Sequence, residues 1–149
     1  MAGSNIVAVK RRLMAVVPGL LGIVGDYSLV GKRLDAEREY FCLGGRAQGP
    51  MMASAMAGGG RYARDEELEF SAQLGVRQPG QETVETVEAR TVELGTLFEE
   101  WLAGNWTLGA DIPGLLKVQI NAFELESGVD DDGASATLTY TLLANSHIR

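Results

Sequence analysis

The sequence predicts an α+β domain in which an antiparallel β-sheet packs against one long amphipathic helix. Three patterns in the second half of the chain support this prediction. Apolar and polar residues alternate over Asp65 to Arg77, an apolar stripe at helical spacing runs from Gln81 to Asn105, and two more alternating strands follow at about 115–126 and 134–145. The 149 residues fit one domain, 1–149, with the element order αββ, long loop, βαββ.

The first elements are an N-terminal helix and two short strands. Ser4 can cap a helix whose apolar residues recur near the helical period, and Pro18 with Gly19 is expected to end it. Short β-like runs then occur around Tyr27 to Val30 and over Arg38 to Leu43.

The segment from Gly44 to Ala63 differs from its surroundings because it contains six glycines and three methionines. A loop of this length is uncommon unless it binds a partner, and methionine adapts to irregular surfaces. We therefore predict an extended loop at 44–63. The candidate partner-contact residues in and beside it are Met51, Met52, Met56, Arg61 and Arg64. The alternative is a surface excursion whose methionines fold back on the core.

Alternation assigns two faces to the predicted strands. Leu68, Phe70 and Leu74 point to the core, while Glu67, Glu69 and Arg77 point away from it with Thr137, Thr139 and Thr141 of the last strand. Carboxylates that share one face repel each other unless a basic group opposes them. These six outward residues are the candidate contact face for a neighbouring subunit.

The long helix and the last two strands supply most of the predicted core. A change of phase after Ala122 predicts a β-bulge near Asn121, and the polar residues from Ser127 to Gly133 predict a hairpin loop. The predicted core consists of Leu68, Phe70, Leu74, Val84, Val87, Leu94, Phe98, Trp101, Val118, Ile120, Leu138, Tyr140 and Leu142.

Composition argues against several classes of function. A net charge of −7 argues against tight binding to a phosphate backbone, which requires clustered Lys and Arg. The longest apolar stretch, Val16 to Val24, is short and interrupted by Pro and Gly, so no membrane span is expected. Lys10, Arg11 and Arg12 follow the first apolar residues, which does not resemble a secretory signal, so the expected site of synthesis is the cytoplasm.

No catalytic set is recognisable in the sequence. His147 is the only histidine and is expected at a frayed C-terminus, and Cys42 is expected to be a small buried apolar residue. Neither the glycines around Lys32 nor the run from Asp130 to Gly133 has the spacing of a phosphate-binding or calcium-binding loop. We therefore expect no catalytic, cofactor-binding or metal-binding residues, and a protein that is not an enzyme.

The order of patterns resembles the tail terminator proteins of long-tailed, siphovirus-like bacteriophages. The resemblance rests on the block RDEELEFSAQLGVRQPG, on the helix ETVEARTVELGTLFEEWLAGN, and on the closing pair LLKVQINAFELESG and GASATLTYTLLANS. It is one of pattern and covers nearly the whole chain.

The resemblance implies a structural virion protein at the head–tail junction, made in the cytoplasm of the host bacterium. Such a protein forms a ring, usually a hexamer, that caps the tail tube, ends tail polymerisation and joins the tail to the head completion or connector protein. DNA passes through the ring without specific binding, so the six outward residues could also line the channel. The 44–63 loop becomes a candidate contact with the tail tube or the connector.

Two alternatives remain open at this stage. Another head–tail neck or completion protein of similar size would also form a ring. A small-molecule or peptide binding module, with the methionine-rich segment as its lid, would instead be a monomer.

Overall fold

The computed structural model describes residues 4–27, 39–49, 51–57, 61–79, 84–131 and 133–148. Within these ranges, two helices and six strands follow one another, which confirms the α+β class. The elements are α1 (Ile6–Leu21), β1 (Val24–Asp26), β2 (Glu39–Gln48), β3 (Met51–Ala57), β4 (Arg61–Gln78), α2 (Val84–Gly104), β5 (Leu115–Asp130) and β6 (Gly133–Ile148).

The six strands form one sheet with the order β1-β2-β4-β6-β5, and β3 also pairs with β4. The β1–β2 pair is parallel and the others are antiparallel. β2 and β3 lie one after the other along the same side of β4. The centre of the sheet is the β4–β6 pair, whose register runs from Arg64 opposite Ile148 to Gln78 opposite Ala134.

One face of the sheet, here called the inner face, packs against both helices. Phe98 of α2 lies at the centre of this core, with its ring centroid 5.6 Å from that of Phe41 and 5.3 Å from that of Tyr140. Val9, Leu13, Val17 and Leu21 of α1 belong to the same core. The opposite face, here called the outer face, has no helix packed on it among the described residues.

Gly95 allows α2 to approach the sheet closely. A Cβ atom at this position would collide with the Tyr140 hydroxyl and lie 2.6 Å from Cδ2 of Leu138, which is closer than real Cβ contacts allow. The missing side chain therefore lets two large β6 residues reach the helix backbone. Burial, followed by the nearby Glu99 carboxylate, raises the pKa of Tyr140 above its ordinary value.

The start of α1 is held by a buried carboxylate. Glu66 of β4 is 2% exposed, and its Oε1 accepts hydrogen bonds from the Ser4 hydroxyl at 3.0 Å and the Asn5 backbone N–H at 3.3 Å. A negative charge is favourable here because backbone N–H groups are unsatisfied at a helix N-terminus. Asn5, and not Ser4 as expected, occupies the N-cap position, and its side chain makes no capping bond.

The end of α1 differs from the expectation that Pro18 and Gly19 stop the helix. The helix continues through Pro18 to Leu21, and Gly22 then takes a left-handed conformation with φ 70°. A proline in the last turn removes one hydrogen bond, and the burial of Val17 and Leu21 offsets that loss. Of the strand expected around Tyr27 to Val30, residues 28–30 lie outside the described residues, and the observed strand is β1.

The prediction of a long loop at 44–63 is wrong, because most of this segment forms β-strands. Gly44 to Gln48 belongs to β2, β3 covers Met51–Ala57, and β4 already begins at Arg61. Small residues hide the alternation that marks a strand in sequence, while pairing with β4 satisfies the backbone groups. Residues 50 and 58–60 lie outside the described residues. The element order is therefore αββββαββ.

The C-terminal hairpin confirms one expectation and corrects another. The register of β5 against β6 shifts between Ile120 and Ala122, which confirms the bulge near Asn121. The expected hairpin loop over 127–133 is wrong, since β5 extends to Asp130 and this residue pairs with Gly133. Gly133 has φ 129°, a backbone conformation that favours glycine at this tight connection.

The predicted core is confirmed. Nine of its thirteen members are buried, and Leu68, Val84, Trp101 and Ile120 are partly buried against them. Two further aromatic and aliphatic contributors, Phe41 and Leu13, come from the N-terminal half, where the sequence pattern is weaker.

The first prediction concerns the central aromatic residue of the core. Replacing Phe98 with Ala should lower the free energy of unfolding by about 3–5 kcal/mol, because the cavity removes contacts with Phe41 and Tyr140. Urea denaturation followed by circular dichroism measures the change. Leu97→Ala is the matched control, since the neighbouring Leu97 is 43% exposed. A Phe98→Ala protein as stable as the parent would contradict this packing.

The second prediction separates helix propensity from helix packing. Alanine favours a helix over glycine by about 1 kcal/mol, yet Gly95→Ala should lower the melting temperature because its Cβ displaces Tyr140 and Leu138. Gly104→Ala in the same helix has no atom within 4 Å of the added Cβ and should leave stability unchanged or raised. Thermal melts compare the Gly95→Ala and Gly104→Ala proteins. Equal melting temperatures would show that α2 lies farther from β6 than this structure places it.

Candidate interaction surface

The outer face collects the six residues that the sequence predicted to lie together. In the β4–β6 register, Gly75, Gln73 and Ser71 lie opposite Thr137, Thr139 and Thr141, respectively. Glu67 and Glu69 continue the β4 row in one direction and Arg77 continues it in the other. The two glutamates are exposed, whereas Arg77 and the threonines are half-buried. The surface is therefore a threonine row with carboxylates at one end.

β5 adds two carboxylates that sequence reasoning did not assign to this face. Glu124 lies opposite Thr139 and Glu126 lies opposite Thr137, and both are exposed. The bulge at Asn121 reverses the alternation of β5, which brings these glutamates to the outer face and turns Phe123 and Leu125 to the inner face. The change of phase after Ala122 indicated this placement, but only the pairing register of β5 with β6 shows which face each glutamate lies on.

Tyr40 of β2 lies on the outer face beside β4. It lies opposite Gly75, and a Cβ atom on Gly75 would collide with the Tyr40 ring. Its hydroxyl accepts a hydrogen bond from Nε2 of Gln73 at 3.3 Å, and burial raises the pKa of Tyr40. The Tyr40 ring therefore fills the space next to Gly75 that a side chain would otherwise occupy.

The predicted partner-contact residues lie on the β3–β4 hairpin. Met51 pairs with Glu66, Met52 with Asp65, and Met56 with Tyr62. Arg61 and Arg64 lie on β4, opposite Ala57 and Ala53. Only the backbone of these five residues is described, so the structure places them on one hairpin and leaves their predicted partner contacts as a prediction.

His147 lies inside β6 and not at a frayed end, which corrects the expectation from sequence. β4 is long enough to place Asp65 opposite it, and Nδ1 of His147 lies 2.7 Å from Oδ1 of Asp65. Among the described residues, no serine or cysteine side chain is hydrogen-bonded to this histidine. The Asp65–His147 pair lies at one end of the outer face. Its geometry is that of a side-chain contact between residues directly opposite each other on paired strands.

Cys42 confirms the expectation of a buried apolar residue. It is fully buried in β2, and loss of solvation raises the pKa of its thiol to about 12, with the nearby Asp26 charge as a smaller cause. A thiol that stays protonated and inaccessible is a poor nucleophile.

A shallow groove lies between the start of α2 and the β2–β4 pair. It is lined by Glu39, Glu85, Arg90 and Glu93, with other residues. Arg90 makes two contacts with the Glu39 carboxylate, at 2.5 and 3.2 Å, and a third with Glu93 at 3.2 Å. These contacts raise the pKa of Arg90 and fasten α2 to β2.

A metal-binding cluster and a membrane-spanning helix are both absent from the ranges that the structure covers. Within them, no cluster of three His, Cys, Asp or Glu residues could hold a metal ion. Within the same ranges, neither helix has the length and apolar character needed to cross a membrane.

No protein-family model and no curated protein matches the sequence. Among solved structures, the chain is similar to one from a structure described as "Virion of native gene transfer agent (GTA) particle". The two share 15% sequence identity with a TM-score of 0.42, over 95% of this chain and 91% of the other. At this TM-score the likeness is too distant to assign a function.

The third prediction concerns the Cys42 thiol. In the native protein at pH 9, iodoacetamide should leave Cys42 unmodified, because a group with a pKa of about 12 is protonated there and the side chain is buried. The same reagent should modify it fully in urea. Mass spectrometry measures both reactions, and rapid modification of the folded chain would show an accessible, activated thiol.

Proposed function

We propose that this chain is a structural virion subunit that forms a ring on the tail tube of a long-tailed bacteriophage. The ring ends tail polymerisation and joins the tail to the head connector, and the chain is not an enzyme. The observation that carries the proposal is a sheet that has helices on its inner face and, among the described residues, none on its outer face. It stands beside the resemblance in sequence pattern to the tail terminator family.

The chemistry of the outer face supports a position beside passing DNA. Glu67 and Glu69 from β4 and Glu124 and Glu126 from β5 border the threonine row. Fixed carboxylates repel a phosphate backbone, and the whole chain has a net charge of −7. A channel lined by such a face would let DNA pass without holding it.

The absence of a recognisable reaction centre in the described residues supports a structural role. The Cys42 thiol is buried, His147 is paired with Asp65, and Arg90 is paired with two carboxylates. Cys42 and His147, the two residues that the sequence analysis considered for nucleophilic chemistry, are thus shielded from solvent and paired, respectively.

The hairpin of β3 and β4 supports a contact with the tail tube or the connector. β3 pairs with β4 alone among the described strands, so its other side is an unpaired edge. An unpaired edge can accept a strand from a partner. The methionines and arginines placed on this hairpin by the sequence are the candidate contacts with that partner.

The fourth prediction tests the function in particles that lack this protein. Electron microscopy should show tails that are overlong and without heads, because polymerisation of the tube no longer stops. Restoring the gene in trans should restore tails of uniform length. Heads that leak DNA beside tails of normal length would instead assign the protein to the neck as a head-completion component. Particles of normal form and infectivity would contradict both.

A further inference from the structure

β5 lies at one end of the sheet, and most of its length has an open side. Among the described strands, β5 pairs with β6 alone. The Val118 N–H donates a hydrogen bond to the Trp106 carbonyl at 2.8 Å, so the turn after α2 occupies the start of this open side. No described strand pairs with residues 119–130 there, and every residue from 121 to 130 is exposed. We call the open side of residues 119–130 the β5 edge.

The two faces of the sheet differ in chemistry at the β5 edge. Phe123, Leu125 and Val129 lie on the inner face and are 69%, 38% and 44% exposed, respectively. Glu124 and Glu126 lie on the outer face and are exposed as well. Side chains alternate between the two faces of a strand. A strand added at this edge would therefore meet apolar side chains on one face and carboxylates on the other.

The flank of α2 that borders β5 adds another apolar side chain. The Ser127 hydroxyl of β5 donates a hydrogen bond to the Glu88 carboxylate, which places this flank of α2 beside the strand. Val92 follows Glu88 by one helical turn and is 48% exposed. The apolar surface on the inner face thus includes residues of both β5 and α2.

The apolar residues distinguish the β5 edge from an edge that is only protected against association. Protected edges carry charges and bulges, and β5 has Glu124, Glu126 and the bulge near Asn121. Protection does not require a phenylalanine that is 69% exposed. A row of exposed apolar side chains beside an unpaired strand edge indicates a binding surface.

The charges on β5 disfavour the same strand of a second copy as the partner. We consider antiparallel pairing of β5 with β5 that keeps like faces together and is centred on any residue from 124 to 128. In each case a carboxylate of one copy lies directly opposite a carboxylate of the other. Centred on Leu125, for example, Glu124 faces Glu126. Like charges directly opposite each other are destabilising, so the β5 edge favours a partner of opposite charge.

We propose that the β5 edge binds an extended segment of a basic partner protein, which adds a strand to the sheet. Apolar side chains of that segment lie beside Phe123 and Leu125 on the inner face, and its Lys or Arg side chains lie opposite Glu124 and Glu126 on the outer face. Backbone hydrogen bonds to β5 supply the affinity, and the alternation of side chains supplies the specificity. The inference goes beyond the proposed ring function, because it concerns a different protein and holds for a single copy of this chain.

Synthetic peptides of about eleven residues test the chemistry of the partner, since this length spans the β5 edge at about 3.3 Å per residue. One peptide alternates valine and lysine, a second alternates valine and glutamate, and a third has the composition of the first with its valines and lysines in two blocks. Fluorescence anisotropy of the labelled peptides measures each Kd. The valine–lysine peptide should bind at least about tenfold more tightly than the other two.

Charge-reversed variants locate the binding. Glu124→Lys combined with Glu126→Lys should weaken binding of the valine–lysine peptide at least about tenfold and make the valine–glutamate peptide the tighter ligand. The matched control is Glu67→Lys combined with Glu69→Lys, which makes the same change of charge on the same face but on β4. It should leave the preference for the valine–lysine peptide unchanged. All four glutamates are exposed, so circular dichroism melts should match wild type.

Matched aromatic substitutions test the apolar part of the surface. Phe123→Ala should weaken binding of the valine–lysine peptide, because the inner face of the added strand loses its largest contact. Trp106→Ala should not, although Trp106 is 65% exposed and of comparable size.

Hydrogen exchange followed by NMR shows whether the peptide adds a strand. Backbone N–H groups on the open side of residues 119–130 should exchange more slowly when the valine–lysine peptide is bound, because each gains a carbonyl partner. Unchanged exchange with the peptide bound would overturn strand addition.

The remaining outcomes separate other occupants of the β5 edge. Undetectable binding of the valine–lysine peptide, equal binding of the alternating and block peptides, or an equal loss in the two charge-reversed variants would overturn the proposal. Without peptide, slow exchange at the open side that increases with protein concentration would identify a second copy as the occupant, and slow exchange at every concentration would identify a segment of this chain. Either result would also overturn the proposal, whereas particle microscopy judges the ring function separately.

Discussion

The packing of α2 on the β4–β6 pair is the contact on which the rest of the structure depends. Phe98 lies between Phe41 and Tyr140, and Gly95 allows the helix backbone to come close to β6. Since α1 joins the same core, both helices occupy the inner face of the sheet. Among the described residues, the outer face is therefore the face of the sheet that remains for partners, and its polarity follows from strand alternation.

Much of this fold could be predicted where local periodicity was decisive. α2, the bulge near Asn121 and the core residues of β4 and β6 all follow from regular spacing of apolar residues. The segment at 44–63 could not be predicted, because glycine and alanine carry little periodic signal and its strands depend on pairing with β4. The same limit applies to His147, whose ordered position depends on a distant β4 residue, Asp65.

On the outer face, too, some residues could be placed from local alternation and others only from the register of paired strands. Alternation alone predicted that Glu67, Glu69 and Arg77 share a face with the threonines of β6, and the register places them there. Glu124 and Glu126 were missed because the bulge had to be applied before their side could be assigned. The fit of Tyr40 over Gly75 could not be predicted, because it depends on the register of two strands far apart in the sequence.

We propose that the outer face of this sheet lines a channel at the head–tail junction. A reconstruction of the intact particle at this junction, by electron cryo-microscopy, tests it most directly. The account predicts a closed ring of this chain with the threonine row and its bordering glutamates facing the lumen. A ring with α1 and α2 facing the lumen, or a junction without this chain, would contradict it.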